Sequence, residues 1–326
     1  MKALVTGGTG FVGSHLVEAL RRAGHEVTAL VRSPARAQGI QRAGARLVRG
    51  DLDDHAALAE AARGQDVVFH SAALLGAVDE AEILHANRDG TAHLVRAVEA
   101  EAPGARLVLV SSMAAGGAAR RGVPCTGAEP PRPVTMYGRS KLASEEVVRA
   151  SALAWTIVRP PAVYGPRDRD NFLALYRAAR LGLCPVFGDG SMELSLVYVT
   201  DLADALLAAA TADATRGGTY YANHPEVLTQ RELVRAIGRT LGRDVRVLGI
   251  PEAVARPLFS LVGGVAGVLR RRTILRADKA NEFYQEAWTG DPSPLARDAG
   301  WRAATDAATG LAATLRWYRE AGWLPG

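Results

Sequence analysis

Lysine is almost missing from this chain. Lys2, Lys141 and Lys279 are the only lysines among 39 basic residues, the rest being arginine. Cysteine is scarcer still: Cys125 and Cys184 stand far apart and without metal-ligand spacing. That excludes a metal site built on them and points to a reducing compartment in which both thiols are structural or inert. No charged leader or cleavage site precedes the first apolar strand, which argues against secretion and for the cytoplasm. No hydrophobic run is long enough for a membrane span, since the uncharged stretch 257–269 falls short of the ~20 residues required. Net charge is +5, but the basic residues are scattered rather than striped, so no nucleic-acid footprint is expected. There is no internal repeat and no low-complexity linker, so a second domain must come from insertions and the C-terminal part. What remains is a 326-residue chain, 48% hydrophobic, long enough for one large domain with a smaller one.

The chain opens on Ala3, Leu4 and Val5, a buried strand, and runs through Thr6-Gly7-Gly8-Thr9-Gly10-Phe11-Val12-Gly13 into an amphipathic helix ending near Arg22. A glycine-rich turn between strand and helix is the setting of a dinucleotide site. Gly7 allows the sharp turn, Gly10 lets backbone N–H groups approach a pyrophosphate, and Gly13 lets the helix pack closely. Phe11 and Val12 stand at the helix N-terminus, which faces the phosphates with partial positive charge. The spacing Gly-x-x-Gly-x-x-Gly resembles the short-chain dehydrogenase/reductase superfamily.

Further along, Gly24 reads as a helix C-cap and 26–31 as a second strand. At its end stands Val31-Arg32-Ser33, where an NAD enzyme would carry an acidic residue for the adenosine ribose. Arg32 suits a 2′-phosphate, which favours NADP(H) with NAD(H) as the alternative; the plainer reading of Arg32 is a solvated strand-end residue. A third strand at 46–48 leads to Gly50-Asp51-Leu52-Asp53, with Asp54 as N-cap of the next helix. The resemblance implies that Asp51, with Leu52 beside it, meets the adenine; Asp51 reads equally as a turn residue. A fourth strand ends in His70-Ser71-Ala72-Ala73, similar to the superfamily's Asn/His-x-Ala-Ala turn, where small Ala72 and Ala73 let ribose and phosphates lie close. His70 reads as structural, lacking a nearby carboxylate. A long helix over 80–101 carries Asn87, which in relatives bridges neighbouring strands. A fifth strand ends at Ser111-Ser112. The alternation of strand and helix predicts an α/β fold with a doubly wound parallel sheet of Rossmann type.

Tyr137-Gly138-Arg139-Ser140-Lys141 puts a phenol and an ammonium on one face of a helix. A free phenol titrates near ~10, and a neighbouring ammonium is expected to lower it. With a hydroxyl from Ser112 to hold the substrate oxygen, this is a Ser-Tyr-Lys catalytic triad of the kind the superfamily implies. Ser111 is the less suited hydroxyl. A lysine at 141 in an arginine-dominated chain indicates a position that wants a compact ammonium.

After a sixth strand at 155–158, Arg159-Pro160-Pro161-Ala162-Val163-Tyr164-Gly165-Pro166 resembles the extended branch of the superfamily, in which Pro160 and Val163 meet the nicotinamide. The strand at 196–200 and a helix opening at Asp201 fit the same branch. Two departures narrow the reaction. Leu194 stands where nucleotide-sugar epimerases carry an arginine for the substrate diphosphate, and Ser112 is followed by Met113-Ala114-Ala115 rather than the acidic pair of sugar dehydratases. The largely apolar segment 251–269, followed by Arg270-Arg271-Arg272, reads as a substrate-covering helix, with membrane-surface contact or core packing as alternatives. Trp301, Trp317, Tyr318 and Trp323 read as packing.

The expected organisation is a dinucleotide-binding domain at 1–166, with 196–225 returning to it, and a smaller, mainly helical substrate domain from 167–195 and 226–326. The expected activity is reduction of a ketone, or oxidation of the matching alcohol, on a small hydrophobic molecule; the resemblance also implies a homodimer. A nucleotide-sugar 4-epimerase with tightly held NAD is the alternative enzyme. A non-catalytic NADP(H) sensor is the alternative class, which has no need of Tyr137 or Lys141.

Overall fold

Six short strands alternate with helices: β1 (Lys2–Thr6), β2 (Glu26–Val31), β3 (Arg46–Arg49), β4 (Val67–His70), β5 (Arg106–Val110) and β6 (Ala154–Arg159). In the computed structural model, which describes residues 1–274 and 276–325, they form one parallel sheet in the order β3-β2-β1-β4-β5-β6. Thr219–Tyr221 adds a seventh parallel strand beside β6. Their composition explains the placement. β5 is buried along its whole length, as expected of a strand covered on both faces.

One face carries α1 (Phe11–Arg22) and the helix Val199–Thr211, where Leu16, Val17 and Leu20 share a core with Leu202, Leu206 and Ala209. The other carries the helices His55–Ala62, Gly90–Glu101 and Met136–Arg149, through Leu58, Leu94, Val98 and Val148. Strand order reverses next to β1, and in open α/β sheets the ligand crevice lies at that switch, outside the carboxyl ends of the strands.

Several local expectations hold. Gly24 follows α1 at φ +78°, with the His25 N–H returning to the Leu20 carbonyl, and Asp54 caps its helix by accepting from the Ala57 N–H at 3.0 Å. Others are corrected. The stretch 80–101 is not one regular helix: Glu80–Leu84 passes through a π-helical turn, His85–Asp89, into Gly90–Glu101. Asp201 does not open its helix, which starts at Val199. Its carboxylate instead accepts from the Ala304 and Thr305 N–H groups and the Thr305 hydroxyl, fastening a segment a hundred residues away.

Beyond the main sheet, Glu193–Tyr198 pairs with Ala162–Tyr164, Val227–Thr229 and Ala287–Trp288, and Leu183–Phe187 pairs with Arg246–Ile250. Helices Asn171–Arg180, Gln230–Thr240 and Ala307–Glu320 bury Tyr176, Ile237, Leu311 and Tyr318 among them. The aromatic residues near the C-terminus are packing, with Trp301 and Tyr318 buried and the Tyr318 hydroxyl donating to the Asp168 carbonyl. Both cysteines are free thiols, Cys184 buried and Cys125 half-buried.

A buried polar clamp fixes the helix Met136–Arg149 to the sheet. Glu145 accepts from Arg159 Nε and Nη2 at 2.8 and 2.7 Å, from the Ser111 hydroxyl at 2.5 Å and from Arg149 at 2.9 Å. Burial alone would raise its carboxyl, but the bonds and charge of Arg159 outweigh that and hold it below the usual range. Removing one partner of such a pair leaves the other charge stranded. Arg159→Met is expected to destabilise the protein by about 3–5 kcal/mol in urea unfolding, and the double variant Arg159→Met/Glu145→Leu to recover much of the loss.

Candidate active site

The glycine turn is pressed from two sides. Gly7 has φ +73°, and a Cβ there would lie 2.6 Å from the Ala72 nitrogen; a Cβ on Gly13 would strike the Gly7 carbonyl. The start of α1 is thereby held against the turn, and the turn against the loop after β4. Gly10, at the N-cap, is extended, with no side-chain cap and no acidic residue in the first turn. A helix N-terminus left uncapped in a cradle that a Cβ would fill fits a pyrophosphate. Half-buried Phe11 and Val12 complete that first turn, and Val12 and Val163 pack against the same core.

Arg32 lies just past β2, exposed, with no hydrogen bond or ion pair to any described residue. Asp51 is exposed too, and its carboxylate accepts from the Asp53 N–H at 3.0 Å, so it also shapes its own turn. The Leu52 carbonyl accepts from His93 Nδ1 at 2.8 Å while its side chain packs over Gly90. Ala72 is half-buried and Ala73 exposed, and the Ala72 N–H donates to Thr6 Oγ1 at 3.3 Å. The Pro160 carbonyl accepts from the Met113 N–H at 2.9 Å.

His70 is buried, with Thr6 Oγ1 2.6 Å from Nδ1 and Thr91 Oγ1 3.0 Å from Nε2. The Thr91 hydroxyl donates to the Asn87 carbonyl, so it accepts from Nε2–H, and Nδ1 accepts from Thr6. One neutral tautomer satisfies the whole run. Burial first, and the Lys141 charge second, push His70 down to about 3. Asn87 does not bridge strands. Its amide accepts from the Leu74 N–H at 2.7 Å and donates to the Leu74 carbonyl and to Ser140 Oγ, at 3.0 and 2.8 Å, tying the loop after β4 to the Tyr137 helix.

Ser112 ends the crossing from β5 and caps the short helix Met113–Gly116, its Oγ accepting from the Ala114 N–H at 3.1 Å. It is also hydrogen-bonded to the Tyr137 phenol, while Ser111 gives its hydroxyl to Glu145. Lys141 is buried and donates to the Val110 carbonyl at 2.7 Å. Burial lowers it to about 8 against the raising charge of Glu145. The expected lowering of Tyr137 is not found. Burial raises the phenol to about 12, the Ser112 bond lowering it and the Glu282 charge raising it further, because the ammonium is turned to a backbone carbonyl.

Three features escaped sequence reasoning. Glu145 lies one turn beyond Lys141 on the same helix, a spacing that was there to be read. Glu282, paired with Lys279 at 2.6 Å, reaches Tyr137 from a remote segment with no local signal. An apolar wall, Met113, Met192 and Trp288 with Val134 and Leu194 against them, gathers beside the Ser112 turn from four separate stretches. The segment behind it is strapped down: Arg276 donates to the Val78 carbonyl and Asp278 accepts from the Met136 N–H, both at 2.7 Å. A cavity of about 300 Å³ opens between Val134, Asn281 and the foot of the helix Glu252–Val268, lined by none of Ser112, Tyr137 and Lys141. The apolar residues of that helix are mostly turned to solvent. It buries only Ala255, Phe259 and Gly263.

Carboxyl-end turns whose shape fits a dinucleotide, with a serine, a tyrosine and a lysine gathered at the end of β5, are the arrangement of a nicotinamide-dependent oxidoreductase of the short-chain class. The model of the NAD-dependent epimerase/dehydratase family matches residues 3–222, and the chain belongs to that family. It is 31% identical to the ceramide reductase of Caulobacter vibrioides, over 98% of this chain and 95% of that one. It is 35% identical to the 2-alkyl-3-oxoalkanoate reductase of Stenotrophomonas maltophilia, over 74% and 76%. Among solved structures, MoeE5 in complex with UDP-glucuronic acid and NAD superposes with a TM-score of 0.79 at 27% identity, covering 98% of this chain and 100% of that one. The chain is an NAD(P)-dependent enzyme of the extended short-chain type.

The His70 run has a pH signature. In the unfolded chain imidazole titrates near ~6.5, whereas in the fold His70 stays neutral to about 3. Between those values the unfolded chain binds the extra proton, so stability falls as pH drops from about 6.5 toward 3, by up to ~1.4 kcal/mol per unit. Urea midpoints at pH 7 and pH 4.5 are expected to diverge more for the native chain than for His70→Gln.

Proposed function

We propose that this protein reduces a ketone on an apolar substrate, using NADPH. The observation that carries this reading is the gathering of Ser112, Tyr137 and Lys141 at the carboxyl end of β5, with Met113 of the apolar wall next to Ser112. Bound at the crevice, the cofactor supplies the hydride. The chain's own residues do the rest. Gly7, Gly10, Phe11, Val12 and Gly13 hold the pyrophosphate, Arg32 the 2′-phosphate, and Asp51 and Leu52 the adenine, with Ala72 and Ala73 against ribose and phosphate and Pro160 and Val163 against the nicotinamide. Ser112 orients the substrate oxygen, Tyr137 delivers the proton to it, and Lys141 holds the nicotinamide ribose.

A protonated phenol is the donor that reduction needs. The names of the relatives, ceramide reductase and 2-alkyl-3-oxoalkanoate reductase, fit the same direction and an apolar substrate. The neighbour solved with a UDP-sugar and NAD supports the second reading, a nucleotide-sugar 4-epimerase. Leu194 weighs against it, since at the diphosphate position it packs into the apolar wall and offers no charge. A homodimer, a cytoplasmic location and contact with a membrane surface are proposals of the same kind, as is the division at 166 with 196–225 returning to the cofactor side.

Fluorescence titration of the purified protein is expected to give tighter, exchangeable binding of NADPH than of NADH. Arg32→Ala is expected to weaken NADPH by about 10–100-fold and leave NADH nearly unchanged. Stoichiometric NAD surviving purification would overturn the reductase in favour of the epimerase. Tyr137→Phe is expected to lower turnover by about 10²–10⁴-fold with NADPH affinity kept; undiminished turnover would remove Tyr137 from the chemistry.

A further inference from the structure

The helix Glu252–Val268 is held to the body along one thin line, Ala255, Phe259 and Gly263. Its opposite side is an apolar strip in open solvent: Val254, Leu258, Leu261, Val265 and Val268 are exposed, Leu261 by 65% and Val268 by 85%, and Leu269 extends the strip. No charge occurs from 257 to 269, about 20 Å of helix. Among the described residues no helix is long and apolar enough to cross a membrane.

The strip ends in Arg270-Arg271-Arg272. Arg272 pairs with Glu82, but Arg270 and Arg271 are exposed and make no ion pair with any described residue. Arg270 also sits at φ +48°, in the left-handed region where the helix ends with the Arg271 N–H returning to the Ala266 carbonyl. Glycine fits that position better than arginine. The side chain is therefore present against a local backbone preference.

We infer that this helix lies flat on an anionic lipid surface, its strip in the acyl boundary and Arg270 and Arg271 on the headgroup phosphates. A second copy of the chain would bury the strip, but its charges do not match. Related by a two-fold axis it presents the same segment, whose one carboxylate, Glu252, is already paired with Arg256. A bilayer bearing acidic headgroups supplies both the apolar layer and the opposite charge. Docked this way, the protein holds the segment 276–285, bonded through Asp278 and Asn281 to Met136 and Val134 just before Tyr137, close to the membrane, so an apolar ketone reaches the site without crossing water. That last step rests on the reductase reading; the docking itself does not.

The test is flotation of the purified full-length protein with vesicles of phosphatidylcholine alone or mixed with phosphatidylglycerol. Binding is expected on the mixed vesicles, weakened by salt and far weaker on the neutral ones. Leu258→Asp/Leu261→Asp/Val265→Asp is expected to abolish it. Arg270→Gly/Arg271→Gly is expected to weaken it by about thirtyfold, while Arg270→Gly alone raises Tm. No flotation on mixed vesicles, or flotation unchanged in the triple variant, overturns the inference. So does a native dimer that binds no vesicle and that the triple variant splits into monomers, which would make the strip an interface between copies. NADPH affinity measured on the same variants reports on the active site separately, so failure of docking and failure of the reductase reading are distinguishable.

Discussion

One unbroken run of hydrogen bonds joins the cofactor turn to the catalytic helix. It starts at the Ala72 N–H, passes through the Thr6 hydroxyl, the His70 ring and the Thr91 hydroxyl to the Asn87 backbone, and continues from the Asn87 amide through Ser140 to the Tyr137 carbonyl. Every member from Thr6 to Ser140 is buried. A buried polar group without a partner costs more than a hydrogen bond gains, so such a run is stable only when complete. Completeness here fixes the His70 tautomer and, with it, the distance between the loop after β4 and the helix that carries Tyr137. The π-helical turn at His85–Asp89 carries Asn87, the residue at which the run passes from backbone carbonyl to side-chain amide.

The clamp around Glu145 sets the acid–base character on the other side of that helix. Arg159 takes both carboxylate oxygens, and Ser111 and Arg149 take what remains, so Glu145 is already answered before Lys141 meets it. Its charge holds the ammonium up less than burial pushes it down, and Lys141 settles at about 8. The same clamp disposes of Ser111, leaving Ser112 as the hydroxyl of the pair that meets the phenol. Burial and the charge of Glu282 raise the phenol, and the lowering by Ser112 does not offset them.

What the chain's order of residues reveals is what depends on near neighbours. The turn from Gly7 to Gly13, the Asp54 cap and the Tyr137–Lys141 pair each lie within a few residues, where strand and helix periods fix geometry, and the doubly wound sheet follows from the alternation of elements. Family resemblance assigned Asn87 to the strands, but its partners stand 13 and 53 positions away. The same holds for Asp201, whose partners are about a hundred residues off, and for the wall of Met113, Met192 and Trp288. The acidity of Tyr137 was misjudged for a related reason. Spacing puts Lys141 on the same helix face but does not reveal that its ammonium donates to the Val110 carbonyl.

The segment 251–269 shows how composition and placement part company. An apolar run beside a substrate domain reads as a cover, because burial is the usual fate of such residues. Here the surface available to bury it is narrow: the pair Leu183–Phe187 and Arg246–Ile250, with Phe283 and Tyr284, offers Phe187 and Ile250 to the helix and nothing to its outer side. Phe187 stacks on Phe283 at 4.1 Å, and that contact anchors the inner line alone. The segment 276–285 that follows is tied down instead, Arg276 to the Val78 carbonyl and Asp278 to the Met136 N–H at the start of the Tyr137 helix. Adjacent stretches therefore part ways, one bonded into the body and the other presenting an apolar outer face that nothing in the fold has room to bury.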